Sequence, residues 1–400
     1  MNQLLIKQKM PKFITKTLIT LAVLFFLYFI ITKITASVVD KKYNKIVLKS
    51  PYSPSKKAAT VYSSLPFVAD LHSDVLLWNR DITKRHSHGH EDIPRMIEAN
   101  IALQAFTIVS KTPKNMNYKG NDDKTDNITM LMVATGRPPA TWFSLKERAL
   151  QQCKELYSFS KASQGKLRVI TSQHELKTYI NDRKKNPSQT AGYLGIEGMQ
   201  VLEGELANVQ VMYDAGIRMM APTHFFDNKL GGSAHGIKKG GLTPFGKQVV
   251  KKMEELNMIV DLAHASPALI NDVLKVATKP LLVSHTGVKG TCNSVRNLSD
   301  AHIKGIAATG GLIGIAVFKA AVCGTNAKAT AKAIKYTTDL VGVKYVAMGT
   351  DFDGAIPAHF DVTGFPLIVD ELLKLGYSNT DIAAIMGGNI RDFMLNNLPE

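Results

Sequence analysis

The succession of apolar runs along this 400-residue chain predicts an α/β fold, a TIM-like (β/α)8 barrel preceded by an N-terminal membrane anchor or signal segment. Three observations predict it. Eight short runs rich in β-branched residues alternate with helical patterns, which is how parallel βαβ units read in sequence. A histidine or carboxylate follows most of those runs directly. The basic charge is confined to one end: residues 1–57 hold eleven lysines and one acid, Asp40, and so carry +10 of the formal +16.

The charge distribution excludes a class of function. A nucleic-acid binder spreads its basic residues over a folded face, whereas here the surplus belongs to a leader. Lys7, Lys9, Lys12 and Lys16 precede the uncharged run Thr17 to Thr32, TLITLAVLFFLYFIIT, and Lys33 follows it. A spanning helix needs at least ~17 apolar residues and a signal-peptide core ~7 to 15, so a run between the two leaves anchor and signal both open. Lysines on its N-terminal side predict a cytoplasmic N-terminus and a body on the periplasmic or extracellular side. The body is secreted if the leader is cleaved, and Ile34-Thr35-Ala36 is the best, though poor, cleavage site. Residues 1–36 are thus read as basic flank and anchor or signal. Residues 37–64 mix lysines, serines and two prolines without a sustained apolar period and are read as a linker, leaving 65–400 as the folded domain.

Within that domain the expected strands are Phe67 to Leu71, Ala102 to Val109, Gly192 to Ile196, Arg218 to Pro222, Met258 to Leu262, Pro280 to Val283, Leu312 to Val317 and Tyr345 to Met348. Helices are expected between them. Thr243-Pro244 and Ser266-Pro267 each pair an N-cap with proline at the first helical position. Residues 127–160 and 325–342 supply others, and two close the chain over 366–395. An open doubly wound sheet fits the same count, but it gathers ligands at the ends of a few neighbouring strands. A composition that is 45% hydrophobic and 20% charged, with 29 glycines, supplies a large core. Three cysteines, Cys153, Cys292 and Cys323, are too few for a disulfide scaffold.

Polar residues after the strands define the chemistry. The first strand ends in His72-Ser73-Asp74, the third in Glu197, the fourth in His224, the fifth in His264, the sixth in His285 and the eighth in Asp351. C-terminal strand ends are where barrel enzymes build their sites. His72, Asp74, Glu197, His264 and His285 form a histidine and carboxylate set suited to Zn2+, and they suffice for two ions if Glu197, between the glycines of GIEG, bridges them. Two such ions share a water, lower its pKa and polarise a carbonyl oxygen, so the constellation predicts hydrolysis. No Gly-x-Ser-x-Gly elbow follows a strand, and KLGGSAHG lacks the ending of a phosphate loop. The cluster His86, His88 and His90 reads as a mobile polar loop at the mouth rather than a third metal site.

These residues resemble the renal (membrane) dipeptidases, binuclear zinc enzymes, over roughly residues 66 to 397. The motifs that carry the resemblance are DLHSD, HEDIPRM, ALQAF, GIEG, AGIRMMAPTH, GLTPFGKQVVKKMEELNMIVDLAHAS, SHTGV, SVRNLSD, GTDFDG and GGNIRDF. It implies that His72 and Asp74 bind one zinc, His264 and His285 the other, and that Glu197 bridges. It also implies that His224 steadies the oxyanion, Arg296 holds the substrate's free carboxylate and Asp351 handles the proton, with Asp353 the alternative for that last role. Chemistry agrees, since a guanidinium fork suits a carboxylate and a carboxylate near an activated water can shuttle its proton. Cys292 and Cys323 fall where relatives carry a disulfide, leaving Cys153 free.

The resemblance further implies dipeptide substrates and a homodimer, as relatives often are. Ser73 stands where relatives often have Asn or Cys, and the seventh-strand segment AVFKAAVC is less typical. Mammalian members hold the membrane by a C-terminal lipid anchor, whereas NNLPE has no apolar tail, so attachment is expected at the N-terminus. The expected activity is zinc-dependent hydrolysis of dipeptides. The other readings are a barrel amidohydrolase acting on another small amide, lactam or ester, and an inactive membrane-tethered metal-binding protein.

Overall fold

The computed structural model describes residues 12–400. Lys7 and Lys9 of the basic flank lie outside the described residues. Nine strands run among the described residues: β1 (Val68–Ser73), β2 (Ile101–Val109), β3 (Leu167–Val169), β4 (Thr190–Glu197), β5 (Ile217–Ala221), β6 (Ile259–Val260), β7 (Leu282–Thr286), β8 (Leu312–Ile315) and β9 (Val346–Met348). All eight expected strands are present. The extra one, β3, is three residues long and lies beside the N-terminal half of β4, from Leu167 opposite Thr190 to Val169 opposite Gly192. Its charged, half-buried sequence has no apolar run to betray it.

Every ladder is parallel, in the order β1-β2-β4-β5-β6 and then β7-β8-β9. Two backbone bridges join the arcs. Asp261, just past β6, pairs with Leu282 of β7, and Ser73 of β1 pairs with Phe352, just past β9. Leu262 N donates to Leu282 O at 2.7 Å and Asp74 N to Phe352 O at 2.8 Å. The parallel sheet therefore closes as a TIM-like barrel rather than an open doubly wound sheet, and its C-terminal strand ends converge on one mouth.

The helices follow their expected starts. Thr243 caps Pro244–Glu255 by accepting from Gly246 N, and Ser266 caps Pro267–Val276 by accepting from Leu269 N. The 127–160 region breaks into Asn127–Ala134, Ala140–Phe143 and Leu145–Ala162. The closing segment gives Phe365–Lys374, Asn379–Ala383 and Asn389–Asn397, one piece more than expected.

The N-terminal region differs from its reading as flank and linker. Helix α1 (Lys12–Tyr43) does not stop at residue 36 but runs on for 32 residues, and its apolar length satisfies the requirement for crossing a membrane. Most of it is exposed, with Phe13 at 80% and Phe25 at 72%, yet Thr32, Ala36 and Asp40 are buried. Their spacing of four puts them on one helical face, and Asn44 continues it. Past α1, Val47 N donates to Ala358 O and Leu48 N to His359 O, both at 2.9 Å. Helix α2 (Lys56–Ser63) is capped by Ser55 and buries Ala58, Val61 and Tyr62. Residues 44–64 are thus part of the folded body. Ala58, Val61, Tyr62 and Leu65 form an i, i+3, i+4, i+7 face that the surrounding lysines and serines mask.

Candidate metal centre

The seven expected residues from six strand ends meet at the mouth of the barrel. His72 lies in β1 with Asp74 just beyond it, Glu197 is the last residue of β4, and His285 lies in β7. His224, His264 and Asp351 stand within a few residues past β5, β6 and β9. Glu197 is the hub. Its Oε1 lies 2.9 Å from His264 Nε2, 3.4 Å from His285 Nε2 and 3.7 Å from His72 Nε2, while its Oε2 lies 3.0 Å from His224 Nε2. His72 Nε2 is also 3.4 Å from Asp74 Oδ1 and 3.9 Å from Asp351 Oδ1.

Two of the site residues carry strained backbone. His264 and Asp351 take φ of 60° and 65°, the left-handed region that side chains with a Cβ rarely adopt. Gly198, next to Glu197, has φ of 90°, which lets the chain leave β4 sharply beneath the carboxylate.

The donor set fits divalent cations. Among the described residues, three buried groups have ligand atoms close enough to hold an ion: His72, Glu197 and His285; Glu197, His224 and His264; and His72, Asp74 and Asp351. Glu197 joins two of them, as a bridge must. His72 Nε2 and Glu197 Oε1 are buried without a hydrogen-bond partner. His264 Nε2 and His285 Nε2 lie 2.9 Å apart, both turned toward Glu197, so at least one of them presents a lone pair there.

Electrostatics agree. Burial, with the nearby His224 and Arg296 outweighing Glu197, lowers His264 to about 3, and burial with His72 and Arg296 takes His285 well below its usual range. Burial thus disfavours the charged form of both imidazoles, which suits them as ligands. Burial opposes a charge on His72, but Asp74 and Glu197 overcome it and raise His72 to about 10. Burial would raise Glu197 as well, yet His224, His264 and His72 hold it well below its usual value. An imidazolium at His72 and a divalent cation are alternative ways of balancing these carboxylates.

The remaining site residues differ in setting. Arg296 Nη2 lies 3.5 Å from His264 Nε2 and 3.4 Å from the His285 carbonyl, and its buried Nη1 has no hydrogen-bond partner. The guanidinium is 5.0 Å from the Phe318 ring centroid. Asp351 lines the cavity, and burial together with Asp74 and Glu197 pushes its carboxyl well above the usual range against the pull of His72. Asp353 is turned away: it accepts from His90 N at 2.8 Å and pairs with Arg80.

His86, His88 and His90 do not form the solvated loop expected of them. His90 is fully buried and His90 Nε2 lies 3.0 Å from the Lys45 carbonyl, while His88 Nε2 is 3.4 Å from Asp40 Oδ2. The loop is held because it fastens the end of α1. Cys292 and Cys323 are joined in a disulfide, and Cys153 is free and buried.

Several residues escaped the sequence reading. Ser284 Oγ lies 3.0 Å from His72 Nδ1 and 3.1 Å from His285 Nδ1, fixing both rings from behind. Thr107 Oγ1 donates to Asp74 Oδ1 at 2.6 Å. Asp70 accepts from Gln104 Nε2 and from the backbone and hydroxyl of Thr350, tying β1 to β2 and to the exit of β9. An acid inside an apolar strand, as Asp70 is in VADLHS, was the one available signal. Over the cluster opens a cavity of about 390 Å³ lined by Asp74, Glu197, His224, His264, Arg296 and Asp351, and also by Val39, Lys42 and Tyr43 of α1.

The profile of the membrane dipeptidase family, peptidase family M19, matches residues 55–394. The chain is similar to Dipeptidase aclJ of Aspergillus oryzae, 24% identical over 344 residues that cover 81% of this chain and 76% of the other. Among solved structures it is similar to the probable dipeptidase PvdM from Pseudomonas aeruginosa, with TM-score 0.71, 17% identity and coverage of 86% and 98%. A metallopeptidase from Rhodobacter sphaeroides, solved with a phosphinate mimic of the dipeptide L-Ala-D-Ala, gives TM-score 0.67 and 22% identity over 83% of this chain and 99% of that one.

Proposed function

The chain belongs to the membrane dipeptidase family of metallopeptidases, and from that premise we propose that it is a two-zinc enzyme that hydrolyses the single peptide bond of dipeptides. The observation that carries the reading is Glu197, whose one oxygen faces His72, His264 and His285 together. His72 and Asp74 would hold one ion and His264 and His285 the other, with Glu197 between. When bound, the ions supply Lewis acidity and an activated water at neutral pH.

The chain's own residues do the rest. Arg296, with an unpartnered buried Nη1, receives the substrate's C-terminal carboxylate by charge-assisted hydrogen bonds. A carboxylate reader at a fixed distance from the cleaved bond admits a single residue on the C-terminal side of that bond. His224 steadies the carbonyl oxygen as it gains charge. Asp351, whose raised pKa suits it to hold a proton, delivers that proton to the leaving amine. Helix α1 anchors the enzyme, with the barrel on the periplasmic or extracellular side, a reading supported by the disulfide and by the lysines that precede the apolar run.

The test uses the full chain in detergent, because α1 and α2 pack on the barrel. Zinc per chain is counted, and a dipeptide is assayed beside its N-acetylated form and a tripeptide sharing its first two residues. About two zinc ions and a strong preference for the free dipeptide are expected. Less than one ion per chain, or equal rates on all three substrates, would sink the proposal.

A further inference from the structure

The cavity over the metal centre is not built by the barrel alone. One side of it is Val39, Lys42 and Tyr43, from the last turn of α1. That turn is held in place rather than draped. Arg80 Nη1 donates to Asp40 Oδ2 at 2.5 Å, and the same guanidinium pairs with Asp353 in the loop that carries Asp351. Asn44 Nδ2 donates to Asp40 Oδ1 at 2.8 Å, and Asn44 Oδ1 accepts from Ala355 N at 3.0 Å. The Tyr43 ring stacks on Trp78 with centroids 6.2 Å apart. Higher on the same face, Thr32 packs against Gly136, where an added Cβ would fall 3.1 Å from its hydroxyl.

The position of this wall assigns it a task. Val39 packs on an apolar cluster of Leu77, Trp78, Val109, Ile128 and Met132. Leu77 and Trp78 lie three and four residues past Asp74, whereas Arg296 sits against His264 and His285, and Leu77, Trp78 and Arg296 line the same cavity. A dipeptide with its carboxylate on Arg296 therefore directs its N-terminal residue toward the cluster that α1 completes. A volume of about 390 Å³ is of the size that holds drug-sized ligands, ~300 to 1,000 Å³, and exceeds what a small dipeptide needs.

We infer that the last turn of α1 forms the subsite wall for the N-terminal side chain of the dipeptide, so that the helix outside the barrel sets a preference for a bulky apolar residue there. The inference rests on the dipeptidase reading. It adds that the anchor helix and the specificity pocket are one element, so the substrate is selected where the chain leaves the membrane.

The experiment measures kcat/KM of the full chain in detergent for Phe-Gly and Gly-Gly, whose C-terminal halves are identical, with zinc per chain counted for each variant. The native protein is expected to favour Phe-Gly, and Val39→Trp, which fills the subsite, to lower the ratio of the two at least tenfold. If Val39→Trp does not fold, Val39→Ala and Tyr43→Ala, which only remove atoms, are expected to lower the ratio by threefold or more. A ratio unchanged within twofold, or an equal loss on both substrates with zinc retained, would overturn the wall. Cleavage of neither substrate by the native protein defeats the dipeptidase reading, and the inference with it.

Discussion

Ser284 touches no substrate, yet its hydroxyl stands between His72 Nδ1 and His285 Nδ1 and so aims two Nε2 atoms at Glu197. Groups that orient metal-binding histidines are typically worth 10–100-fold in metal affinity. Ser284→Ala is accordingly expected to weaken zinc binding by about that factor while leaving the chain folded, and a competition titration against a chromogenic chelator measures it. An unchanged affinity would show that packing alone orients the rings. At this scale the residues that follow strands, His72, Glu197, His264, His285 and Asp351, are legible because an ionisable group after an apolar run has few structural reasons to be there. Ser284, Thr107 and Asp70 are not, because a hydroxyl or a lone acid inside a strand acquires meaning only from what lies across the sheet.

Among the elements, α1 departs most from its reading. Its apolar run announces a membrane helix, but the buried stripe of Thr32, Ala36 and Asp40 is hidden by the lysines around it. Asp40 is the only acid among the first 57 residues, and that isolation was its one signal. Its carboxylate is buried against Arg80, and hydrogen bonds to charged groups contribute roughly 1.5–3 kcal/mol. Asp40→Ala should lower stability by about that amount, read as a fall of the denaturation midpoint in detergent. A midpoint within error of the native protein's would mean that α1 is not docked. Arg80 keeps Asp353 as a partner, which is why the larger penalty of a fully stranded buried charge is not expected.

On the scale of the whole molecule, the proposed metal ligands span both arcs of the barrel, since His72 and Glu197 come from the arc of five strands and His285 from the arc of three. Ions bound there would fasten the two arcs, as the bridges at Asp261–Leu282 and Ser73–Phe352 do through the backbone. Binding to the folded state alone stabilises by about 2.7 kcal/mol when free metal is a hundred times its dissociation constant. Chelation should therefore lower the thermal midpoint of the full chain by several degrees, and added zinc should restore it where magnesium does not. A midpoint insensitive to chelator would leave the ions without a structural role. The chain's own order of runs determined the barrel, the strands and the five metal-binding candidates, because period, strand ends and residue chemistry are local properties. That Asp353 faces Arg80 and not the cavity, and that α1 walls the site, were decided only by tertiary structure. Each depends on distances between segments up to about three hundred residues apart in sequence, such as Asp40 and Asp353 meeting on Arg80, and no local pattern encodes such a distance.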